Sequence, residues 1–267
     1  RLRKDVLPEL PEKIRQDVPV EIQAAARRMA DAAVAALAAK GITIEDAVAA
    51  AELGRFNDKD FAELSRAREQ LARALIPAAL EMAESYEDSG EPVVIWSDHR
   101  APVEAFKGRP GWAVIEGGMT GAQKTAVENA FQDGRRNGLA CSIKAGGTAI
   151  TLTRAAHELF VDISYVPGEN EQAEDRCVRH GQTRGVLIRR LCPDHIIAKN
   201  AMDIVTAKME LVRGTVDAAA VSLRAVVLVA FGEPDGDQFQ FGLVAHVLPL
   251  RPRSVLRRWR GRGAPRR

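Results

Sequence analysis

The sequence predicts an α/β fold: a parallel sheet covered by helices on both faces, preceded by a helical region. Three observations predict it. From Pro92 onward, short continuous apolar runs recur: "PVVIWS", "WAVI", "LACSI", "LFVDI" and "VLIRRL". Such runs mark strands buried on both faces. Helix-forming stretches separate them, as crossovers between parallel strands require. Before Pro92 the chain is dominated by alanine, glutamate and arginine, all strong helix formers.

The elements follow in order. "RLRKDVLPELPEKIRQDVPV" is charged and broken by prolines, and reads as an extended lead-in over residues 1–20. "EIQAAARRMADAAVAALAAK" is helical and is stopped by Gly41. Thr43 opens "TIEDAVAAAELG", with Thr43 and Asp46 spaced like a capping box. A longer helical stretch runs from about Asp60 to Glu87, with a break expected at Pro77. Residues 21–87 thus form a helical unit. After the strand "PVVIWS" come helix "APVEAFKG", strand "WAVI", helix "AQKTAVENAFQ", strand "LACSI", a Gly-rich loop and strand "LFVDI". Helix "EQAEDRCVR", strand "VLIRRL" and helix "IIAKNAMDIVTAKMELVRG" complete a unit over residues 88–214. Residues 215–267 are weakly patterned, and no internal repeat is visible.

Composition narrows the function classes. The chain has 267 residues and a formal net charge of +2, so no global field demands a polyanionic partner. The charge is uneven, however. No acidic residue follows Asp237, and the chain ends "RPRSVLRRWRGRGAPRR". This end reads either as a solvated tail or as an attractor for nucleic acid. Cys141, Cys177 and Cys192 form no zinc pattern and no disulfide framework, and no metal ligands are assigned. We expect a reducing, cytoplasmic setting and no membrane association, because no apolar run is long enough to span a bilayer.

Three stretches could carry chemistry. In "ENEQAEDRCVRHGQT", Gln172, Asp175, Arg176 and Arg179 fall on one predicted helix, with Gln172, Arg176 and Arg179 sharing a face. Two guanidinium groups and a glutamine converging on one spot suit a polyphosphate. The same spacing suits a solvated helix in which Glu174 and Asp175 pair with the arginines. In "CSIKAGGTAITLTRAA", Lys144, Gly146 and Gly147 follow a strand, where glycines let backbone N–H groups approach an anion. An ordinary turn explains that stretch equally well.

The third stretch, "GGMTGAQKT", nearly spells G-x-x-x-x-G-K-[ST]. Gly118, Lys124 and Thr125 fit, but Gln123 stands where the second glycine belongs. A rival reading makes residues 118–125 the phosphate loop of an independent NTPase, with Asp162 holding magnesium. Against it, Gln123 lacks glycine's backbone freedom, and one strand–helix unit already precedes the loop.

Taken in order, these segments resemble the second RecA-like lobe of Swi/Snf-type, superfamily-two DNA helicases and translocases. "QAEDRCVRHGQT" is similar to the family's Q-A-x-D-R-x-x-R-x-G-Q signature, with His180 in place of an apolar residue. "SIKAGGTAITLTRAA" resembles its S/T-x-x-A-G-G-x-G-L-N-L-x-x-A loop, keeping Ser142, Ala145, Gly146 and Gly147 but carrying Ala149 and Thr151 for Gly and Asn. "VVIWSDHRAPVEAF" and "IEGGMTGAQKTAVENAFQDG" resemble earlier segments of that lobe, with Lys124 at an arginine position. "FVDISYVPGENEQAEDR" resembles its D-x-x-W-x-P-x-x-x-x-Q-A-x-D-R run, with Tyr165 for Trp. "LPELPEKIRQ" and "IPAALEMAE" point to the annealing-helicase branch. Residues 1–20 then correspond to the linker between lobes, and 21–87 to the lobe's helical protrusion.

The resemblance implies a RecA-like fold and an ATP-dependent motor working on double-stranded or forked DNA, in a nucleoid-associated setting. It implies Arg176 and Arg179 as arginine fingers. Gln172, Asp175, Gly146 and Gly147 join them at ATP. Ser97, Gly118, Thr120, Lys124, Ser142 and Lys144 are implied along the DNA backbone. ATP and Mg2+ would be held mainly by a first lobe. No complete phosphate-loop motif and no D-E-A-H-like tetrapeptide occurs in these residues. We therefore expect little ATP hydrolysis unless a first lobe is supplied, in the same full-length chain or in trans. The alternative is a non-catalytic module that binds nucleic acid or a partner.

Overall fold

The computed structural model describes residues 10–52, 58–146, 150–219, 226–227 and 246–247. By its contacts the chain divides into Arg3–Met209 and a second unit of Arg1–Leu2 with Glu210–Arg267. In the second unit, β7 (Val226–Val227) and β8 (His246–Val247) pair antiparallel. The rest of the Arg-rich end lies outside the described residues.

The first unit begins with β1 (Lys13–Val20) and four helices: α1 (Ala24–Ala38), α2 (Ile44–Glu52), α3 (Asp58–Ala74) and α4 (Ile76–Ser89). Alanines that lose no side-chain entropy drive α1, which buries Ala30 and Leu37. The expected Thr43–Asp46 capping box is present: the Thr43 N–H donates to Asp46 Oδ2 at 3.1 Å, and the Asp46 N–H to Thr43 Oγ1 at 3.1 Å. The expected break at Pro77 is also present. Proline occupies the first turn of α4, where its missing N–H costs no hydrogen bond. Gly90 ends α4 at φ 69°, and Glu91 N–H returns to Tyr86 O at 3.1 Å, a closure that needs the left-handed conformation.

The RecA-like α/β unit follows as β2 (Val93–Ser97), α5 (Arg100–Glu104), β3 (Trp112–Ile115), α6 (Gly121–Gln132), β4 (Gly138–Ser142) and α7 (Ile143–Gly146). Then come β5 (His157–Phe160), α8 (Pro167–Glu174), β6 (Val186–Pro193) and α9 (Ile196–Ala219). The sheet has six strands in the order β1-β6-β5-β2-β4-β3, all parallel. Alternate residues of β2 feed two cores. Val93 and Ile95 pack with α1–α4 and with Ile197 and Ala201 of α9. Val94 and Trp96 pack with Phe131 of α6, Ile143 and Ala173 of α8. Helices thus cover both faces, as the apolar runs predicted. Among the described residues no helix is long and apolar enough to cross a membrane.

Two element readings need correction. Residues 13–20 of the lead-in are a full edge strand, paired from Lys13↔Val186 to Val20↔Pro193. Its backbone pairs only with β6 at the sheet edge, and charged residues alternate with apolar ones along it, so no apolar run announces it. An edge also tolerates Pro19. The helix expected over 171–179 instead spans Pro167–Glu174 and stops before both arginines. Its last turn tightens, with Arg176 N–H bonding to Ala173 O and Cys177 N–H to Glu174 O.

Strand order reverses between β2 and β5. From β2 the chain proceeds to β3 and β4 on one side, and from β5 to β6 on the other. The carboxyl ends of these two neighbours therefore flank the crevice where open α/β sheets bind ligands.

Candidate nucleotide and nucleic-acid sites

Two groups of side chains lie at different places, and α6 runs between them. Its 12 residues span about 18 Å. Thr120 and Lys124 belong to its start, Glu128 and Gln132 to its second half.

The first group surrounds the turn after α8. Arg176 is buried at 7% exposure, and its carbonyl accepts from Leu152 N–H at 2.8 Å. Arg179 Nε donates to Asp175 O at 3.1 Å and its Nη1 to Thr151 Oγ1 at 3.3 Å. Burial, and then the like charge of Arg179, lower the Arg176 pKa. Asp175 and Glu128 oppose that shift. The two guanidinium groups therefore share one neighbourhood, although the helix predicted to align them ends earlier.

The acids beside them face elsewhere. Glu174 is 4% exposed and accepts from Lys13 Nζ at 2.9 Å and from Arg15 Nε at 2.9 Å, while Lys13 Nζ also lies 2.8 Å from Asp175. Hydrogen bonding to Glu174 is the main reason the Arg15 pKa is raised. Glu174 and Asp175 are thus drawn to β1, and Asp175 also sets its charge beside Arg176. Sequence reasoning missed Lys13 and Arg15, because β1 carries no apolar signal. Gln172 is exposed on α8.

The segment that receives this turn is fixed by α6 and by Gln182. Glu128 Oε1 accepts from Thr151 N–H at 2.7 Å, and Gln132 Oε1 from Arg154 N–H at 3.1 Å. The buried Gln182 amide donates to Thr153 O at 3.0 Å and to Ala155 O at 2.7 Å. Gly146 packs against Trp96: a Cβ there would come within 2.6 Å of Trp96 Cζ3. Gly147 lies outside the described residues.

The second group lies at the carboxyl ends of the strands. Thr120 caps α6 and Gln123 completes a capping box, with Gln123 N–H donating to Thr120 Oγ1 at 3.3 Å and Thr120 N–H to Gln123 Oε1 at 2.8 Å. The Thr-x-x-Gln spacing was the available signal for that box. These N–H groups have side-chain partners where a phosphate loop must offer them to an anion, so residues 118–125 do not have the form of one. Lys124 Nζ donates to Ala145 O at 2.8 Å, tying α6 to the end of α7. Gly118 and Thr120 are exposed, Ser142 is half-buried, and Lys144 is exposed 3.7 Å from Asp98.

Ser97 is fully buried. Its hydroxyl donates to Asp162 and accepts from His99 N–H at 3.1 Å. His99 Nδ1 lies 2.5 Å from Asp162 Oδ2. Burial pushes the Asp162 carboxyl up, but the His99 bond and charge, Ser97 and Arg68 bring it below its usual range. Asp98 is raised, by burial and then by Asp162. No periodicity announces this cluster, since sheet pairing joins residues 63 apart.

Comparison with known proteins bears on the fold and the kind of domain. Residues 73–181 match the helicase conserved C-terminal domain. Residues 73–181 are thus similar to a helicase C-terminal domain, and the relatives that the chain resembles include SWI/SNF-related proteins. A Caenorhabditis elegans SWI/SNF-related matrix-associated actin-dependent regulator of chromatin subfamily A-like protein 1 homolog is 30% identical over 226 residues, covering 78% of this chain and 29% of the relative. The human DNA annealing helicase and endonuclease ZRANB3 is 24% identical over 209 residues, covering 76% of this chain and 18% of the relative. The chain therefore spans under a third of the length of either relative. Among solved structures, the C-terminal part of the Fun30 ATPase domain superposes with a TM-score of 0.58 at 16% identity, over 73% of this chain and 90% of that one. The Sulfolobus solfataricus SWI2/SNF2 ATPase core in complex with dsDNA gives 0.53 at 18% identity, over 68% and 41%. Both likenesses are of fold.

Proposed function

We propose that this chain is the C-terminal motor lobe of an ATP-dependent Swi/Snf-type DNA translocase, with Arg176 and Arg179 as its arginine fingers. One observation carries the reading. Two guanidinium groups share a partly buried neighbourhood, while the adjacent Glu174 and Asp175 are drawn to Lys13 and Arg15. Burial and then the like charge of Arg179 lower the Arg176 pKa, and a polyphosphate placed there offsets both by supplying negative charge. Planar guanidinium forks hold phosphate oxygens and stabilise charge developing on the transferred phosphoryl group. Gln172, exposed on α8, reaches toward the nucleotide, and the Gly146–Gly147 segment borders it. Mg2+ and the remaining phosphate contacts belong to a first lobe.

The strand-end residues Gly118, Thr120, Ser142 and Lys144 line a surface for the sugar–phosphate backbone of duplex or forked DNA. Lys124 and Ser97 shape that surface from behind, through Ala145 O and Asp162. The contacts are sequence-independent and weaken with salt. On this reading the chain works where its DNA is, in the cytoplasm at the nucleoid.

The test is reconstitution. The chain alone with DNA is expected to turn over ATP negligibly, and a Swi/Snf first lobe added in trans is expected to restore DNA-stimulated turnover. Arg176→Ala and Arg179→Ala should each abolish the restored activity with the fold intact by circular dichroism. Full turnover in both variants would refute the finger assignment. DNA binding without any restorable turnover would favour a non-catalytic nucleic-acid module instead.

A further inference from the structure

We propose that Asp98, His99 and Asp162 form a binding site for one divalent transition-metal ion, of the zinc or cobalt type, at the switch point between β2 and β5. One donor atom from each residue lies within 4.8 Å of the other two. Two carboxylates and an imidazole are a donor set that such ions accept. The residues follow the carboxyl ends of adjacent strands whose connections diverge, the place where this sheet architecture receives ligands.

Further observations point to a ligand here. Asp98 Oδ1 is shielded from solvent and accepts no hydrogen bond. Its ion pairs are long, 3.6 Å to Arg68 and 3.7 Å to Lys144. Arg68 is already held by the Ile163 carbonyl at 2.6 Å and by the Tyr165 ring, 4.1 Å away. Lys144 is 67% exposed and can leave Asp98 for water without being buried. A small cavity lined by Arg68, His99, Asp162, Leu191 and Ile197 opens beside the cluster.

An ion with donors at about 2.0–2.2 Å would replace the hydrogen bond between His99 Nδ1 and Asp162 Oδ2, whose atoms, 2.5 Å apart, must separate to ligate it together. Ser97 already orients the other Asp162 oxygen, as hydrogen-bonded partners commonly orient metal ligands. Bound there, the ion ties the end of β2 to the segment after β5 and removes negative charge from the strand-end surface.

The experiment titrates the chelator-treated chain with Co2+, followed by visible absorption, and with Zn2+ by equilibrium dialysis. We expect one ion per chain and a higher melting temperature with the ion bound. His99→Ala and Asp98→Asn should each weaken binding roughly tenfold or more. His180→Ala, at an exposed histidine outside the cluster, should change nothing. Selective Co2+ shifting of the His99 ring resonances in the unaltered chain gives a readout that needs no variant. No ion bound, binding undiminished in both variants, or His99 resonances unmoved would overturn the proposal.

Discussion

Lys13 Nζ donates to Glu174 Oε2 across 2.9 Å, joining the charged edge strand to the last residue of α8. Arg15 reaches the same carboxylate through Nε at 2.9 Å. Glu174 is 5% exposed at its side chain, and these two cations are its partners in that buried setting. Glu174→Ala leaves two part-buried cations unanswered and should lower stability by about 2–4 kcal/mol in urea unfolding. In a double-mutant cycle, Arg15→Met should cost less in the Glu174→Gln background than in the native chain. Strict additivity would mean that the pair is not coupled.

Glu158 is fully buried on β5, and Trp96 Nε1 of the neighbouring strand donates to its Oε2 at 2.7 Å. Burial, then the nearby Glu174 carboxylate, push its pKa well up, against the Trp96 bond and the charge of Lys13. The folded chain therefore keeps this proton at pH values where the unfolded chain has released it. Below the ordinary glutamate range both states are protonated, and the shift contributes nothing. Rising pH from there to the raised folded pKa favours the unfolded state, by at most about 1.4 kcal/mol per pH unit. Glu158→Gln keeps an acceptor for Trp96 and removes the titration. Its stability relative to the native chain should rise as pH climbs above the ordinary glutamate range toward the raised folded pKa, and be nearly level below that range. A pH-independent difference between the two chains would contradict this assignment.

Strands β2 and β4 were legible because buried parallel strands are continuous apolar runs, and their residues alternate between two cores. The run "LFVDI" marks only the last two residues of β5, Leu159 and Phe160, because the strand begins at His157 and the buried Glu158. β1 was not, because an edge strand paired on one side needs no apolar run, and "KIRQDVPV" mixes charged and apolar residues without a continuous apolar stretch. The arginine pair was readable as a pair but not in its placement. The turn after Glu174 and the Leu152 contact hold it, and neither leaves a periodic trace. The Asp98–His99–Asp162 cluster depends on the pairing of β2 with β5, which a linear reading does not supply.

Gly146 illustrates a glycine whose reason is packing. Trp96 is fully buried and stacks near Phe160, with ring centroids 6.2 Å apart. A methyl group at position 146 meets that indole at 2.6 Å and the Cys141 Cβ at 3.1 Å, so the ring must move. Gly146→Ala should cost about 1–3 kcal/mol and change the near-ultraviolet signal of tryptophan. Unchanged stability and spectrum would return this glycine to a purely ligand-facing role.

Gln123 separates the two readings of "GGMTGAQKT". Gln123→Gly completes the G-x-x-x-x-G-K-[ST] pattern in sequence. It also removes the side chain that satisfies the Thr120 N–H and places glycine in the first turn of α6. The capping geometry predicts a loss of about 1–2 kcal/mol, from the cap and from backbone entropy together. It predicts no gain in nucleotide affinity, because Lys124 stays bonded to Ala145 O and faces the chain, not a phosphate. Titration with a fluorescent ATP analogue and urea unfolding of the same variant test both halves. Tighter nucleotide binding than in the native chain would revive the phosphate loop, whereas lost stability with unchanged affinity assigns Gln123 to the helix cap.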